Sequence, residues 1–279
     1  SGPGFFRSSN DLQYEVDQIK LAGDYVAGDH TLTFGFEQET RDIFNLFIPN
    51  ATGTLVFEDI AALQAGVASE FDINGSFSGV ATDAGASFER DIKSFYLQDE
   101  WQLNDAMTLI AGVRYDRYQS NDLPTLNPVF QERYGFGNQQ TFDGLDLLQP
   151  RLGLRWELPE TSIGVTQLNV GFGVFGGGDP TVHFASAYQN FGGSLGNGDE
   201  GDAPCAAADL QVFDGSGQFT GFPDCARTAA AGSALANTGA VAAVDPNFEL
   251  PSNQRWSFGL NHLMTSDSNF FDGWQIQAD

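Results

Sequence analysis

The sequence predicts an all-β fold: an antiparallel meander forming part of a membrane-spanning β-barrel with long external loops. Three observations carry that prediction. Apolar and polar residues alternate with period two through most of the chain, as in strands with two unlike faces. Several alternating stretches reach the roughly 9–11 residues that a tilted strand needs to cross a bilayer. Every second connection is short, which puts all the short turns at one end of the meander and all the long loops at the other.

The elements follow in chain order. A first strand is expected over 12–26, and its change of phase near Asp17 and Gln18 suggests a bulge. A short turn leads to a second strand over 31–47, where Leu32, Phe34 and Phe36 oppose Thr31, Thr33, Gly35, Glu37 and Glu39. The long connection 48–90 contains FEDIAALQAG (57–66), whose acidic start, Ile60, Leu63 and terminal Gly66 predict a short helix. Strands over 91–103 and 108–120 flank the short turn NDAM (104–107); Arg114 and Asp116 share one face, Leu109, Val113 and Tyr115 the other. After the long connection 121–147, a strand over 148–158 sets Leu152, Leu154 and Trp156 against Arg151, Gly153, Arg155 and Glu157. The strand over 166–177 alternates Leu168, Val170, Phe172 and Val174 with Gln167, Asn169, Gly171 and Gly173. The longest loop, 178–252, precedes a strand over 253–265 that opposes Trp256, Phe258 and Leu260 to Arg255, Ser257, Gly259 and Asn261, and a last strand is expected over 273–279.

Alternation alone also fits a soluble β-sandwich or a solenoid. Charge placement favours the barrel. An arginine on the lipid face at the bilayer midplane costs about 2–4 kcal/mol, and Arg114, Arg151, Arg155 and Arg255 all keep to the polar phase. Asp99, Arg117 and His262 fall on the apolar phase and are expected near strand ends. Tyr25, Phe47, Trp101, Tyr115, Tyr118, Trp156 and Trp256 suit the aromatic girdles of a membrane barrel; in a soluble protein they would be core.

Composition narrows the partners. The formal net charge is −25. That balance argues against nucleic acid and against electrostatic docking on an anionic membrane surface. Aromatic content of 13% argues against a disordered acidic tail. There is no apolar run of about 18 residues for a transmembrane helix and no signal peptide, and both ends are read as cut from something longer.

Cys205 and Cys225, the only cysteines, share the longest loop; a disulfide suits an extracytoplasmic compartment, and two free thiols are the alternative. GFGVFG (171–176) matches a dinucleotide fingerprint in form only, because it lies inside a strand and GGDP follows where a helix should open. His30, His183 and His262 lack metal spacing. The acidic run NGDEGD (197–202), with Asp209, Asp214 and Asp224, offers hard oxygen ligands for calcium but not the spacing of a calcium loop, so a solvated loop is the default. No nucleophile elbow, zinc-protease helix or P-loop is present, so neither an enzyme nor a resident cofactor or metal is expected.

FYLQDEWQLNDAMTLIAGVRYDRY (95–118) resembles the barrel hairpin of TonB-dependent outer-membrane receptors. LLQPRLGLRWEL (147–158) looks like the descending strand that follows it, GDHTLTFGFE (28–37) like the family's turn-and-ascend segment, and DPNFELPSNQRWSFGLNHLM (245–264) most like the Oar-like branch, whose members carry a carboxypeptidase-regulatory-like domain. The resemblance implies that residues 1–279 are part of a larger barrel, about eight of its strands, without the plug domain and the remaining strands. It also implies a receptor in the cell outer membrane, surrounded by outer-membrane lipid, that imports a small-molecule or peptide ligand with energy delivered by the TonB complex through the plug. His183, Tyr188, Phe191, Asp199 and Glu200, in the longest loop, are the candidate ligand contacts. A small eight-stranded outer-membrane barrel acting as anchor or adhesin is the alternative.

Overall fold

The computed structural model describes residues 4–199, 205–267 and 270–279. Period-two alternation becomes strands throughout. β1 (Ser9–Ala27) and β2 (His30–Ile48) form a hairpin whose turn residue Gly28 adopts a left-handed φ of 60°. The next connection contains β3 (Thr54–Val56), α1 (Ile60–Ala65) and β4 (Glu70–Ser76). β5 (Ala86–Asn104) and β6 (Met107–Gln119) form the second hairpin, and α2 (Pro128–Tyr134) lies in the loop beyond it. β7 (Asp146–Glu157) and β8 (Gly164–Gly176) form the third. The longest connection holds α3 (Thr181–Gln189), β9 (Leu195–Asp199) and α4 (Asp224–Leu235), and β10 (Ser252–Met264) and β11 (Gln275–Ala278) close the described chain. The predicted helix is α1: Asp59 caps it by accepting from the Ala62 amide at 2.7 Å, and Gly66 ends it in the left-handed region.

The long strands and the four-residue β11 form one antiparallel 8-stranded sheet in the order β1-β2-β5-β6-β7-β8-β10-β11. β1 and β11 are its two edges. The short strands form a separate 3-stranded sheet, β3-β4-β9. Among the described residues no helix is long and apolar enough to cross a membrane, which leaves spanning by strands untouched.

Strand register assigns every residue to a face. Glu37, Ser94, Asp116, Gln149, Arg151, Gly173 and Arg255 share the inner face, on which the folded loops pack. Leu21, Phe36, Phe95, Tyr115, Leu148, Leu152, Phe172 and Trp256 share the outer one. These large apolar side chains are uncovered: Leu21 is 65% exposed, Leu152 52% and Trp256 66%. In water a continuous patch of this kind would be unstable; against hydrocarbon it is the required surface. The three expected exceptions sit toward strand ends. Asp99 accepts from His30 at 2.8 Å beside the β1–β2 turn, Arg117 pairs in register with Asp146 at the loop end, and His262 Nδ1 lies 2.8 Å from Thr166 Oγ1.

Two expectations are corrected here. No bulge breaks β1, because its register with β2 runs without interruption from Ser9↔Ile48 to Ala27↔His30. The polarity of the faces inverts instead. Ile19, Leu21 and Tyr25 on the outer face give way to Asp11, Gln13, Glu15 and Asp17 on that same face. The same inversion recurs in β2, where Leu32, Phe34 and Phe36 are followed by Gln38, Thr40 and Asp42, and in β5, where Phe95 and Leu97 are preceded by Glu89, Asp91 and Lys93. A strand leaving hydrocarbon for water requires such an inversion. The second correction concerns the aromatic girdle. Tyr25, Trp101, Tyr115, Trp156 and Trp256 lie on the outer face, but Phe47 and Tyr118 lie on the inner phase, where Tyr118 packs against Phe142.

The long loops fold together. Ile43 and Phe88 from the sheet, Phe142 from the loop after β6, and Phe184, Ala187 and Tyr188 from α3 make one buried cluster. Its rings stack closely, with centroids 4.2 Å apart for Phe88–Tyr188 and 4.0 Å for Phe142–Phe184. A second cluster packs Phe71 and Ile73 of β4 against Phe222 and against Ala226 and Ala230 of α4. α4 also lies directly on β9: a Cβ at Gly196 would stand 2.1 Å from the Ala230 carbonyl oxygen, and one at Gly198 2.2 Å from that of Ala226. The Cys205–Cys225 disulfide ties the segment after β9 to the first turn of α4.

Candidate functional site

The inner face of β1, β2, β5 and β6 carries a charged network that the longest loop reaches down to meet. Arg90 is 2% exposed. Its Nη1 donates to Asp179 Oδ1 at 2.6 Å and to Thr181 Oγ1 at 2.7 Å, and its Nη2 to Glu39 Oε1 at 3.2 Å. Its guanidinium lies over the rings of Phe142 and Tyr118, 5.6 and 5.8 Å from their centroids. Arg41 holds the other oxygen of Asp179 at 2.8 Å. Arg41 Nε lies 3.0 Å from Glu39 Oε1 without hydrogen-bond geometry. Asp179 lies two residues before α3, so these two arginines latch the longest loop onto the wall. Burial opposes ionisation of Asp179, but the Thr181 hydroxyl and amide together with Arg90 hold its carboxyl below the ordinary range.

One step farther from the loops, Arg114 donates to Glu37 at 2.8 Å, to Asp116 at 2.7 Å and to Ser94 at 2.7 Å. Lys20 pairs with Glu37 at 2.7 Å, and Gln149 links Asp116 to the Gly176 amide. Lys20, Arg41, Arg90 and Arg114 are thereby matched by Glu37, Glu39, Asp116 and Asp179. A cleft of about 330 Å³ opens onto this network between Gln18, Arg114 and Gly178. It is polar, preorganised and cannot accept unpaired charge without breaking an ion pair.

The wall of β7, β8 and β10 differs. Among the described residues no carboxylate lies within 4.0 Å of Arg151, Arg155 or Arg255, although all three share the inner face. Arg151 and Arg255 instead lie over the Phe175 ring, 4.7 and 5.4 Å from its centroid.

The candidate ligand contacts scatter. His183 is exposed on α3. Tyr188, on the same helix, is buried in the aromatic cluster and donates to the Asp122 carbonyl at 2.7 Å, so it supports the loops and is closed to a ligand. Phe191 bridges to Val241, and Asp199 ends β9 opposite Asp72. Glu200 and the rest of the acidic run through Asp202 lie outside the described residues. Among the described residues, no group of three or more His, Cys, Asp or Glu is arranged to hold a metal ion.

Arg41, Arg90 and Asp179 are the residues that sequence reasoning missed. The apolar phase predicts a strand only from residue 91 and leaves Arg90 in the loop, because ASFERDIKSF (86–95) alternates in the inverted phase, with charges outward at Glu89, Asp91 and Lys93. Alternation without regard to which phase is apolar would have extended the strand.

No curated protein and no solved structure matches the chain. One family model does, that of an outer membrane beta barrel domain, across residues 2–270. A continuous two-faced sheet, an uncovered apolar exterior and a match over nearly the whole sequence agree, and the chain belongs to the outer membrane beta barrel domain family, located in the outer membrane.

Proposed function

We propose that the protein is an outer-membrane receptor that binds an external solute and imports it in a TonB-dependent manner. The observation carrying this reading is the latch: three long loops form one folded body, and Arg41 and Arg90 clamp it onto a polar inner wall. An adhesin or anchor needs folded loops but has no use for a charged cleft beneath them. The motif resemblance of 95–118 and 147–158 to TonB-dependent receptors supplies the energy source.

Depletion of solutes from the medium tests the proposal. Cells producing the full-length protein are compared with a deletion strain, with and without an uncoupler. At least one solute should disappear only when the protein is present and the inner membrane is energised. Depletion that survives the uncoupler would identify a passive channel, and no difference between strains would remove the import reading.

A further inference from the structure

The lumenal residues of β7, β8 and β10 stand in rungs: Arg151–Gly173–Arg255, then Gly153–Gly171–Ser257, then Arg155–Asn169–Gly259. Glycines thus floor the wall between arginines. The Phe175 ring folds over one of them, since a Cβ at Gly173 would stand 2.7 Å from the ring and 3.4 Å from Arg151 Cγ. The Phe175 ring is in cation–π reach of both guanidiniums, with its centroid 4.7 Å from that of Arg151 and 5.4 Å from that of Arg255. In a chain of net charge −25, these guanidiniums have no carboxylate within 4.0 Å among the described residues. The acidic neighbours include Glu37, which lines one cleft together with Arg151 and is itself paired with Lys20 and Arg114, Glu157, one rung beyond Arg155, and Asp279, whose Oδ1 would meet a Cβ on Gly259 at 3.0 Å.

We propose that this trough binds an oxyanion, the carboxylate or phosphate group of a solute in the lumen. Arg151 and Arg255 are the paired donors, and Arg155 is a second cationic point roughly 13 Å along the wall. A guanidinium presents a planar fork of donors matched to carboxylate and phosphate oxygens. Stacking on Phe175 fixes that fork before the ligand arrives, which lowers the entropy lost on binding. At Gly153, where a Cβ would meet nothing closer than 3.6 Å, a ligand can approach the backbone. On the neighbouring wall of β1, β2, β5 and β6, Lys20, Arg41, Arg90 and Arg114 are each already paired with a carboxylate, so an anion gains less there. That the solute is cargo rests on the import reading; the binding itself does not.

Calorimetric titration of the purified full-length protein in detergent at low ionic strength tests the site, with citrate, inorganic phosphate and sucrose as probes. Citrate or phosphate should bind and sucrose should not; which anion binds separates a carboxylate site from a phosphate one. The double change Arg151→Gln with Arg255→Gln should weaken binding about tenfold or more. Phe175→Leu, which keeps the charges but removes the ring face, should weaken it about threefold. Lys93→Gln, the loss of one positive charge on the outer face, should leave it unchanged. β-sheet circular dichroism confirms that each variant is folded. Failure of both anions to bind, or equal losses with Lys93→Gln, would overturn the proposal as adventitious ion binding only. The titration needs no energised membrane, so its failure leaves import standing, and binding without energy-dependent depletion would remove import while keeping the site.

Discussion

The two halves of the sheet solve the same problem differently. In β1, β2 and β5, each 19 residues long, the strands run past the apolar band, invert their polarity and bury a neutralised ion network beneath the loops. β7, β8 and β10, at 12 to 13 residues, stop near the band and carry glycine and unpaired arginine on the inner face. The difference teaches that one wall is built to hold the loops and the other to stay open. Charge on the first is structural, because every cation there is already paired and Arg90, 2% exposed, would be stranded in a buried place without its carboxylates. Charge on the second is available.

Substitutions can break or sharpen this contrast. Leu152→Arg places a charge on the lipid face of the short wall and should cost about 2–4 kcal/mol of folding stability in bilayers. Gln13→Arg, on the same face of the long wall but above the inversion, should cost under about 0.5 kcal/mol. Denaturant titration in lipid vesicles measures both, and similar costs would erase the band edge. Next, Arg90→Met should destabilise the loop body by about 2–3 kcal/mol, below the full value for a buried pair because Arg41 still faces Asp179. Arg255→Gln should change stability by less than about 0.5 kcal/mol. Limited proteolysis of the 177–251 segment should report the first change and ignore the second.

Gly196→Ala pushes a methyl against the α4 backbone and should cost about 1–3 kcal/mol, seen as faster cleavage in the same loops. The smallest effect is that of pH. Asp179 has a lowered carboxyl pKa when folded, so its contribution is complete above the unfolded value of about 3.9 and is lost as pH falls through the folded value. Protease resistance of the loops should therefore hold constant from about pH 7 to 5 and decline only below about pH 4. Asp179→Asn should remove that acid-dependent part of the decline.

Much of this molecule is legible in its sequence, and the boundary of legibility is physical. The strands of the 8-stranded sheet fall close to their alternating stretches, because a sheet with unlike solvents on its two faces writes its period into adjacent residues. The loops do not, since their order is non-local. β4 pairs with β9 through Asp72↔Asp199, and no local pattern announces a partner so far along the chain. α4 is held by small residues, Ala226, Ala230 and Ala234, which lie buried against Gly196 and Gly198 and give little apolar contrast. The spacing of Phe184 and Tyr188, one helical turn apart, was the available signal for α3, and it marks a packing face. Of the candidate site, the lumenal arginines were visible as a phase; their division into paired and unpaired was not, because it depends on which strands are neighbours.

Site-directed labelling along β1 tests the central claim most directly. Single cysteines at 13, 15, 17, 19, 21 and 25, in a protein whose own two cysteines are disulfide-bonded, are probed with a membrane-impermeant maleimide and, as bimane adducts, with a lipid-borne quencher. The odd-numbered side chains share one face throughout. Positions 19, 21 and 25 should be quenched by lipid and react slowly with the maleimide, while 13, 15 and 17 should react freely and escape quenching. Quenching that extended evenly from 25 to 13, or was missing at 21, would contradict the assignment of the outer face to hydrocarbon below Asp17 and to water above it.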